Sequence, residues 1–350
     1  MRTRLFAPLL PLLVLLASCG TGPSEKADLP QECVVPNATL ATARTPIDLA
    51  MERAGQALLY QYPADRYALL EMPGCRVTPL SDVPGRVGLN DIFILPGGTR
   101  LMAILPTGRS LNEWWYARGV DSAPMRLEFP SGSAIPLHLI LSTDGQWAAW
   151  LLPMRVQKGI HFELAMRRPD GPEEKNAHLA ALGPGSYELL ELDAAAQEIT
   201  LARNLNELVR VNFDGATRWR VTSGDIAAQP TTFRRLGQGY FAWDAIRESG
   251  PYRMGWSLPS NPNTYGFERL REIQHAAVDP SGHYAAASLE TQYGRLLWLR
   301  DAVSIVRLND RLEIFRKYFP RFNRSRVVFL TARYFAYSDG NQVRVLRLPE

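Results

Sequence analysis

Residues 279–288 read DPSGHYAAAS: a turn built from Asp279, Pro280, Ser281 and Gly282, then the aromatic Tyr284, then a run of small apolar residues. Proline presets one turn dihedral, glycine accepts a positive φ, and aspartate and serine bond to nearby amides, so the first half reverses the chain. The second half opens an apolar strand. The same order of turn, aromatic or large residue and alanine-containing strand recurs in PADRYALLEM (63–72), PGGTRLMAIL (96–105), STDGQWAAWL (142–151), LGQGYFAWDA (236–245) and LTARYFAYSD (330–339).

Aligning Tyr67, Leu101, Trp147, Tyr240, Tyr284 and Tyr334 gives spacings of 34, 46, 93, 44 and 50 residues. The value 93 is close to twice the others, and GPGSYELLEL (183–192) supplies a copy inside that gap, with Tyr187 in the aromatic place. Seven units then span 267 residues, or 44.5 per interval. Four-stranded propeller blades repeat at about 40 to 50 residues. The fold class expected is all-β, a β-propeller of seven four-stranded blades, with six to eight as the range, because six to eight such units close into a ring whose sheets bury one another's faces. A stack of β-sandwich domains, with similar strand signals, is the rival.

The DPSG, aromatic, small, small stretch resembles an inner strand of TolB-like and WD-type β-propellers, and the resemblance extends over most of residues 55–350. No copy carries the Trp-Asp pair of the WD class. The resemblance implies a propeller body that serves recognition.

Between the copies, Glu207 to Val221 predicts a hairpin with a three-residue connection at Asp214-Gly215-Ala216, which keeps Val209, Val211, Phe213, Thr217, Trp219 and Val221 on one face. The last strand, Val343 to Leu348, is expected to close the ring against Ala57 to Gln61. Pro46 to Ala57 reads as a helix, with Thr45 as cap and Pro46 in the first turn.

The first residues, MRTRLFAPLLPLLVLLASC, place two arginines before an apolar run from Leu5 to Ala17, which is the layout of an export signal. A spanning helix needs roughly 20 apolar residues, and this run is shorter and holds Pro8 and Pro11. Leu16-Ala17-Ser18-Cys19 resembles the lipobox of bacterial lipoproteins. The resemblance implies cleavage before Cys19, lipidation of its thiol, and, with Gly20 rather than aspartate following, the periplasmic face of an outer membrane. The organisation expected is therefore a signal peptide (1–18), a lipidated tether (19–36), a lead-in with a short helix (37–54) and the propeller (55–350). With Cys19 used, Cys33 and Cys75 remain, in an oxidising compartment if the chain is exported. A Cys33–Cys75 disulfide is expected, with free buried thiols as the alternative.

Compact catalytic signatures do not appear. The histidines at 138, 161, 178, 275 and 283 show no zinc spacing, and there is no CxxC, GxSxG, P-loop or EF-hand ladder. Gly237 to Ala242 matches GxGxxA, but Tyr240 to Trp243 reads as a strand where the nucleotide fingerprint needs a helix. No metal or other cofactor is expected. Asp65, Asp144, Asp244 and Asp279 are candidates for acidic groups at a channel mouth, though Asp144 and Asp279 also suit turns.

Charge gives the clearest local feature. The chain carries a formal net charge of +4, and from Arg295 to Glu350 twelve basic residues face five acidic ones. Within this region Arg316, Lys317, Arg321, Arg324 and Arg326 interleave with Tyr318, Phe319 and Phe322, and form the candidate site for an anion or a partner. The alternative is a solvated rim with its aromatic residues in the core. Trp114, Trp115 and Tyr116 form a second candidate, either exposed for stacking or buried in a blade. The function expected is a non-catalytic envelope lipoprotein, anchored to the membrane through Cys19, that binds a protein partner or an anionic polymer and not nucleic acid. A propeller enzyme acting on a glycan or peptide is the alternative, and a structural element lying on acidic headgroups is a third.

Overall fold

The computed structural model describes residues 29–41, 50–82, 86–105, 113–128, 137–156, 159–169, 177–182, 185–204, 207–222, 230–237, 240–245, 253–258, 261–266, 272–293, 298–310, 312–319 and 325–350. Among them are seven four-stranded antiparallel sheets, each built from neighbours in sequence except the last. Strand β1 (Gln31–Pro36) belongs to that last sheet. The first sheet holds β2 (Ala38–Leu40), β3 (Gln56–Gln61), β4 (Arg66–Glu71) and β5 (Arg76–Pro79), with helix α1 (Ala50–Arg53) before β3. The second holds β6 (Arg86–Ile94), β7 (Arg100–Leu105), β8 (Glu113–Ala117) and β9 (Met125–Arg126).

The third sheet runs through β10 (Leu137–Leu141), β11 (Ala148–Val156), β12 (Gly159–Arg167) and β13 (Ala177–Leu182). The fourth contains β14 (Tyr187–Asp193), β15 (Glu198–Arg203), β16 (Glu207–Asn212) and β17 (Thr217–Thr222). The fifth contains β18 (Pro230–Gly237), β19 (Tyr240–Ala245), β20 (Arg253–Leu258) and β21 (Asn261–Gly266). The sixth contains β22 (Glu272–Val278), β23 (Tyr284–Tyr293), β24 (Trp298–Arg307) and β25 (Leu312–Phe319). In the seventh, β26 (Val327–Leu330), β27 (Tyr334–Asp339) and β28 (Gln342–Arg347) are completed by β1.

The first strands of successive sheets approach one another, β6 to β10, β10 to β14, β18 to β22 and β22 to β26. Apolar residues fill the spaces between sheets. Leu101, Trp150 and Leu201 belong to one core spanning the second to fourth sheets. Leu58 and Met102 join the first sheet to the second, and Leu70 and Val345 join the first to the seventh. Phe315 and Phe335 join the sixth to the seventh. The first, second, third and seventh sheets are thus packed on both faces, which is why their inner strands carry apolar runs rather than a clean alternation.

Two opposite faces follow from the strand directions. On the lower face, hairpins joining first to second strands meet the ends of third strands: the Leu308 amide donates to the His283 carbonyl (2.8 Å), Phe213 to Gln197 (3.0 Å), Met72 to Gly55 (2.8 Å) and Leu348 to Arg333 (2.8 Å). On the upper face, hairpins between second and third strands meet the links between sheets: the Tyr62 amide donates to the Asn37 carbonyl (2.7 Å), Asn204 to Ser186 (2.9 Å) and Ala38 to Asn341 (3.0 Å). Gly55 shows how close the lower packing is. Its φ is +69°, and a Cβ there would stand 2.8 Å from the Met72 carbonyl oxygen.

The recurring motif falls on second strands at Leu101, Tyr240, Tyr284 and Tyr334 and directly before one at Trp147, but two copies are displaced. Tyr67 lies on β4, the third strand, and Tyr187 opens β14, the first strand. The true second strands there begin at Gln56 and Glu198, polar residues that hid the repeat. The turns themselves share one design. The Asp279 amide donates to the Tyr284 carbonyl (3.0 Å) and the Ser142 amide to the Trp147 carbonyl (2.7 Å). The returning amides go to side chains, Tyr284 to Asp279 Oδ1 (2.5 Å) and Trp147 to Ser142 Oγ (2.9 Å).

Other expectations need correction. The closing partner of β28 is β1, paired from Gln31 with Leu346 to Pro36 with Gln342, and not Ala57 to Gln61. Residues 31–36 are therefore part of the body rather than tether, and Ala38–Leu40 is a strand rather than a lead-in. The helix covers only Ala50–Arg53, and residues 42–49 lie outside the described part. In the β16–β17 hairpin, Arg210 pairs with Trp219 and Val211 with Thr217, with a bulge between. Asn212 tightens the connection by accepting the Ala216 amide at Oδ1 (2.6 Å), which shortens the ladder by one residue. Val209 and Val211 still face the core, and β17, at the sheet's outer edge, need not match them.

Candidate functional site

The basic segment divides once its described residues are followed. Arg316 and Lys317 lie on β25, the outer strand of the sixth sheet. Arg316 Nε donates to Glu313 Oε1 (2.6 Å) and its Nη1 to the Tyr318 hydroxyl (3.2 Å), while Ser304 Oγ donates to the same Glu313 oxygen (2.5 Å). Burial pulls the Arg316 guanidinium down, but Tyr318 and Glu313 outweigh it and hold its pKa above the usual value. Lys317 Nζ sits 5.9 Å from the centre of the Phe319 ring. Phe319 itself is core, 5.8 Å from Tyr337. Arg321 and Arg324, with Phe322, lie outside the described residues. Arg326 is not grouped with Arg316: its Nη1 donates to the Leu40 carbonyl (2.9 Å), which ties the seventh sheet to the first.

The aromatic trio on β8 lies within the packing between sheets. Tyr116 is buried, with its hydroxyl 3.5 Å from the Gly145 carbonyl, Trp114 packs half-buried on the same core, and Trp115 packs on the core between the first two sheets. An exposed aromatic group stands elsewhere, on the upper hairpin of the first sheet. Tyr62 is 43 % exposed and meets Tyr60 edge-on at 4.9 Å, and Tyr67 lies 5.4 Å from Tyr60. Asp65 accepts from the Tyr60 hydroxyl. The sequence cue was Tyr62 before Pro63, an extended residue entering a turn.

The acidic candidates are held by local structure. Asp279 is fully buried and accepts the Ser281 amide (2.9 Å) and the Ser281 hydroxyl as well as Tyr284. Asp144 is exposed, taking the Gln146 amide (3.0 Å) and the Ser142 hydroxyl. Asp244 falls on β19 and His138 on β10. His161 and His178 fall on β12 and β13, and His275 on β22. His283 is exposed in its hairpin, with Nδ1 3.1 Å from Ser281 Oγ. Among the described residues no group of three or more His, Cys, Asp or Glu is placed to hold a metal ion.

Two polar clusters were not legible in the sequence. On the fourth sheet Arg210 reaches Glu198 (2.5 Å), Asp193 (3.3 Å) and Glu191 (3.4 Å), and Thr200 donates to Glu191 (3.2 Å). On the second sheet Arg100 is buried and donates to the carbonyls of Gly98 (3.0 Å) and Gly119 (2.8 Å) and to Ser81 Oγ (2.6 Å). Burial brings its pKa down to about 10. Both clusters bond internally and brace the sheets that carry them.

Covalent and polar links hold the seam between the seventh and first sheets. Cys33 on β1 is disulfide-bonded to Cys75 in the β4–β5 hairpin, with Cα atoms 6.5 Å apart. Ser338 Oγ accepts the Leu40 amide (3.0 Å) and the Thr39 hydroxyl (2.9 Å). The Thr331 amide donates to the Glu52 carbonyl (2.7 Å). Cys19 lies outside the described residues.

No protein-family model matches the chain, and no curated protein does. Solved structures do. An oligogalacturonate lyase in complex with manganese is 10 % identical over 93 % of this chain and 97 % of that one, with a TM-score of 0.57. The oligogalacturonate lyase of Vibrio parahaemolyticus is 8 % identical over 91 % and 92 %, with a TM-score of 0.58. The β-propeller domain of Cps50 (Swd1) from Myceliophteria thermophila is 12 % identical over 93 % and 99 %, with a TM-score of 0.52. At such identities the likeness is one of fold, and the fold is a β-propeller.

Proposed function

We propose that the protein is a bacterial envelope lipoprotein, anchored through Cys19, whose propeller binds a protein partner or an anionic envelope polymer without chemical turnover. The Cys33–Cys75 bond carries this reading, because structural disulfides persist outside the reducing cytoplasm. An export signal at residues 1–18 supplies the route, and acyl chains on Cys19 supply the hold, at about 0.8 kcal/mol per buried methylene. The seven sheets are read as seven blades of one closed ring, with β1 as the strand that completes the last. Recognition is supported by the arginine-rich C-terminal region and by Lys317 on an outer strand; the step from propeller to binding is an analogy at the level of the fold.

A crosslinking pull-down from envelopes tests the reading, comparing the native protein with a variant carrying Lys317→Glu, Arg321→Glu and Arg324→Glu. Arg326 is left unchanged because it holds the Leu40 carbonyl. A specific partner captured by the native protein and lost in an equally stable variant is the expected result. Capture of nothing by either form, together with turnover of envelope glycans or peptides by the purified protein, would replace binding with an enzymatic role.

A further inference from the structure

The point at which the chain joins the ring fixes which way an anchored ring faces. Leu29 is the first described residue, and it packs on the core between the sixth and seventh sheets. The Pro30 carbonyl accepts the Arg347 amide (2.8 Å), the Pro349 carbonyl accepts the Tyr284 hydroxyl (3.2 Å), and the Leu348 amide reaches the Arg333 carbonyl. All of these contacts lie on the lower face, beside the first hairpins of the sixth and seventh sheets. From there β1 runs upward and ends at Asn37, where the Tyr62 amide meets it on the upper face.

Around the same point stand four arginines. Arg53 and Arg333 are exposed, Arg76 has 74 % of its side chain exposed and Arg347 58 %. Arg53 ends helix α1, whose Glu52 carbonyl holds Thr331, and Arg76 follows the cysteine bonded to β1, so all four flank the start of that strand. The acids near them are Glu32, paired with Arg347, Glu71, paired with Arg76, Asp310, paired with Arg307, and the terminal Glu350. Glu52 also lies there.

We infer that the lower face around Pro30, with Arg53, Arg76, Arg333 and Arg347, is the surface that rests against anionic lipid headgroups, leaving the upper face with Tyr62 and Asp65 turned away. The inference rests on the anchored reading above. Leu29 lies ten positions beyond Cys19, and a fully extended chain of ten steps reaches at most about 35 Å. Presenting the upper face instead would send that chain back along the depth of the body, about 20 Å for the six residues of β1, and leave little reach for the bilayer. Counted with Arg307, five arginines here stand against Glu32, Glu52, Glu71, Asp310 and Glu350, so the face has no net positive excess and the tether sets the orientation; Arg53 and Arg333 supply the guanidinium groups that would meet phosphate oxygens. The end of β25 at Phe319 lies toward the upper face, where a soluble partner has access.

The test uses the full lipidated protein in vesicles of phosphatidylglycerol and phosphatidylcholine that carry a headgroup acceptor dye. A donor is placed on the introduced thiol of Ala332→Cys, in the lower hairpin, or of Ala64→Cys, in the upper one. Energy transfer at least twofold more efficient from position 332 is expected, and the difference should narrow on adding Arg53→Glu and Arg333→Glu. Equal transfer, or stronger transfer from position 64, overturns the inference while leaving anchoring intact. An unchanged difference in pure phosphatidylcholine vesicles overturns the part played by charge. A Cys19→Ser form that stays with membranes as well as the wild type does would instead remove the anchored reading, and this inference with it.

Discussion

Cys33, on the strand that completes the last sheet, is covalently bonded to Cys75, in a hairpin of the first. The bond spans the junction where the first and last sheets, distant in sequence, meet, so it joins both ends of the repeat. On the chain-entropy model, a cross-link between residues 42 apart stabilises the folded state by about 3 to 4 kcal/mol. Replacing both cysteines with serine should lower the unfolding free energy by that amount, with a lower denaturant midpoint and a larger m because the unfolded chain is no longer cross-linked. An equal midpoint for the oxidised protein and the double variant would show that the seam is held by its other contacts.

Ser338 closes the same seam from within. Its hydroxyl accepts the buried Leu40 amide, so Ser338→Ala leaves that amide without its side-chain acceptor and should cost about 1 to 3 kcal/mol. Hydrogen exchange at the Leu40 amide reads the effect directly: protection should fall there first, ahead of β11 or β23. Uniform loss across all sheets would mean that the seam does not open on its own.

Asp279 and Asp144 occupy corresponding turns yet should behave differently. Asp279→Ala removes three bonds from a fully buried position and should destabilise by about 1 to 3 kcal/mol. Asp144→Ala, on an exposed turn where Ser142 holds the strand, should stay within about 0.5 kcal/mol. Thermal unfolding of the two variants is the measurement, and equal losses would show that the carboxylates do not divide their roles in this way.

Arg210 neutralises a largely buried Glu191, whose side chain is only 6 % exposed. Arg210→Met should cost about 3 kcal/mol by removing the guanidinium from a largely buried carboxylate, and Glu191→Gln in the same chain should recover part of the loss. A double-mutant cycle by urea unfolding gives the coupling. Additive losses would indicate that Glu198 and Asp193 carry the pairing instead.

The propeller was legible because the turns are chemically costly to replace: Asp279-Pro-Ser-Gly must reverse the chain and return two amides, so its composition repeats. Where another residue served the same bonds, the signal faded. At β15 the strand opens with Glu198, which pairs with Arg210, and the nearby Tyr187 took its place in the alignment. At β3 the opening residue is Gln56, whose side chain bonds Glu71 (2.8 Å). Strand β1 was hidden for a different reason: six residues with a proline, far in sequence from their partner, have no local pattern that separates a strand from a tether. The aromatic residues of β8 could be read as exposed or buried from sequence, and only packing against neighbouring sheets decides for burial. The basic segment was visible as composition, but its division, with Arg326 committed to the seam and Arg316 to Glu313, depends on tertiary contacts.

The central claim, an exported and lipid-anchored propeller, meets its most direct test in the intact mass of the protein purified from membranes. The predicted species begins at Cys19, carries the added mass of its acyl groups, and holds no free thiol until reduction releases those of Cys33 and Cys75. A chain recovered from the soluble fraction with residues 1–18 still attached, or with an unmodified Cys19, would contradict it.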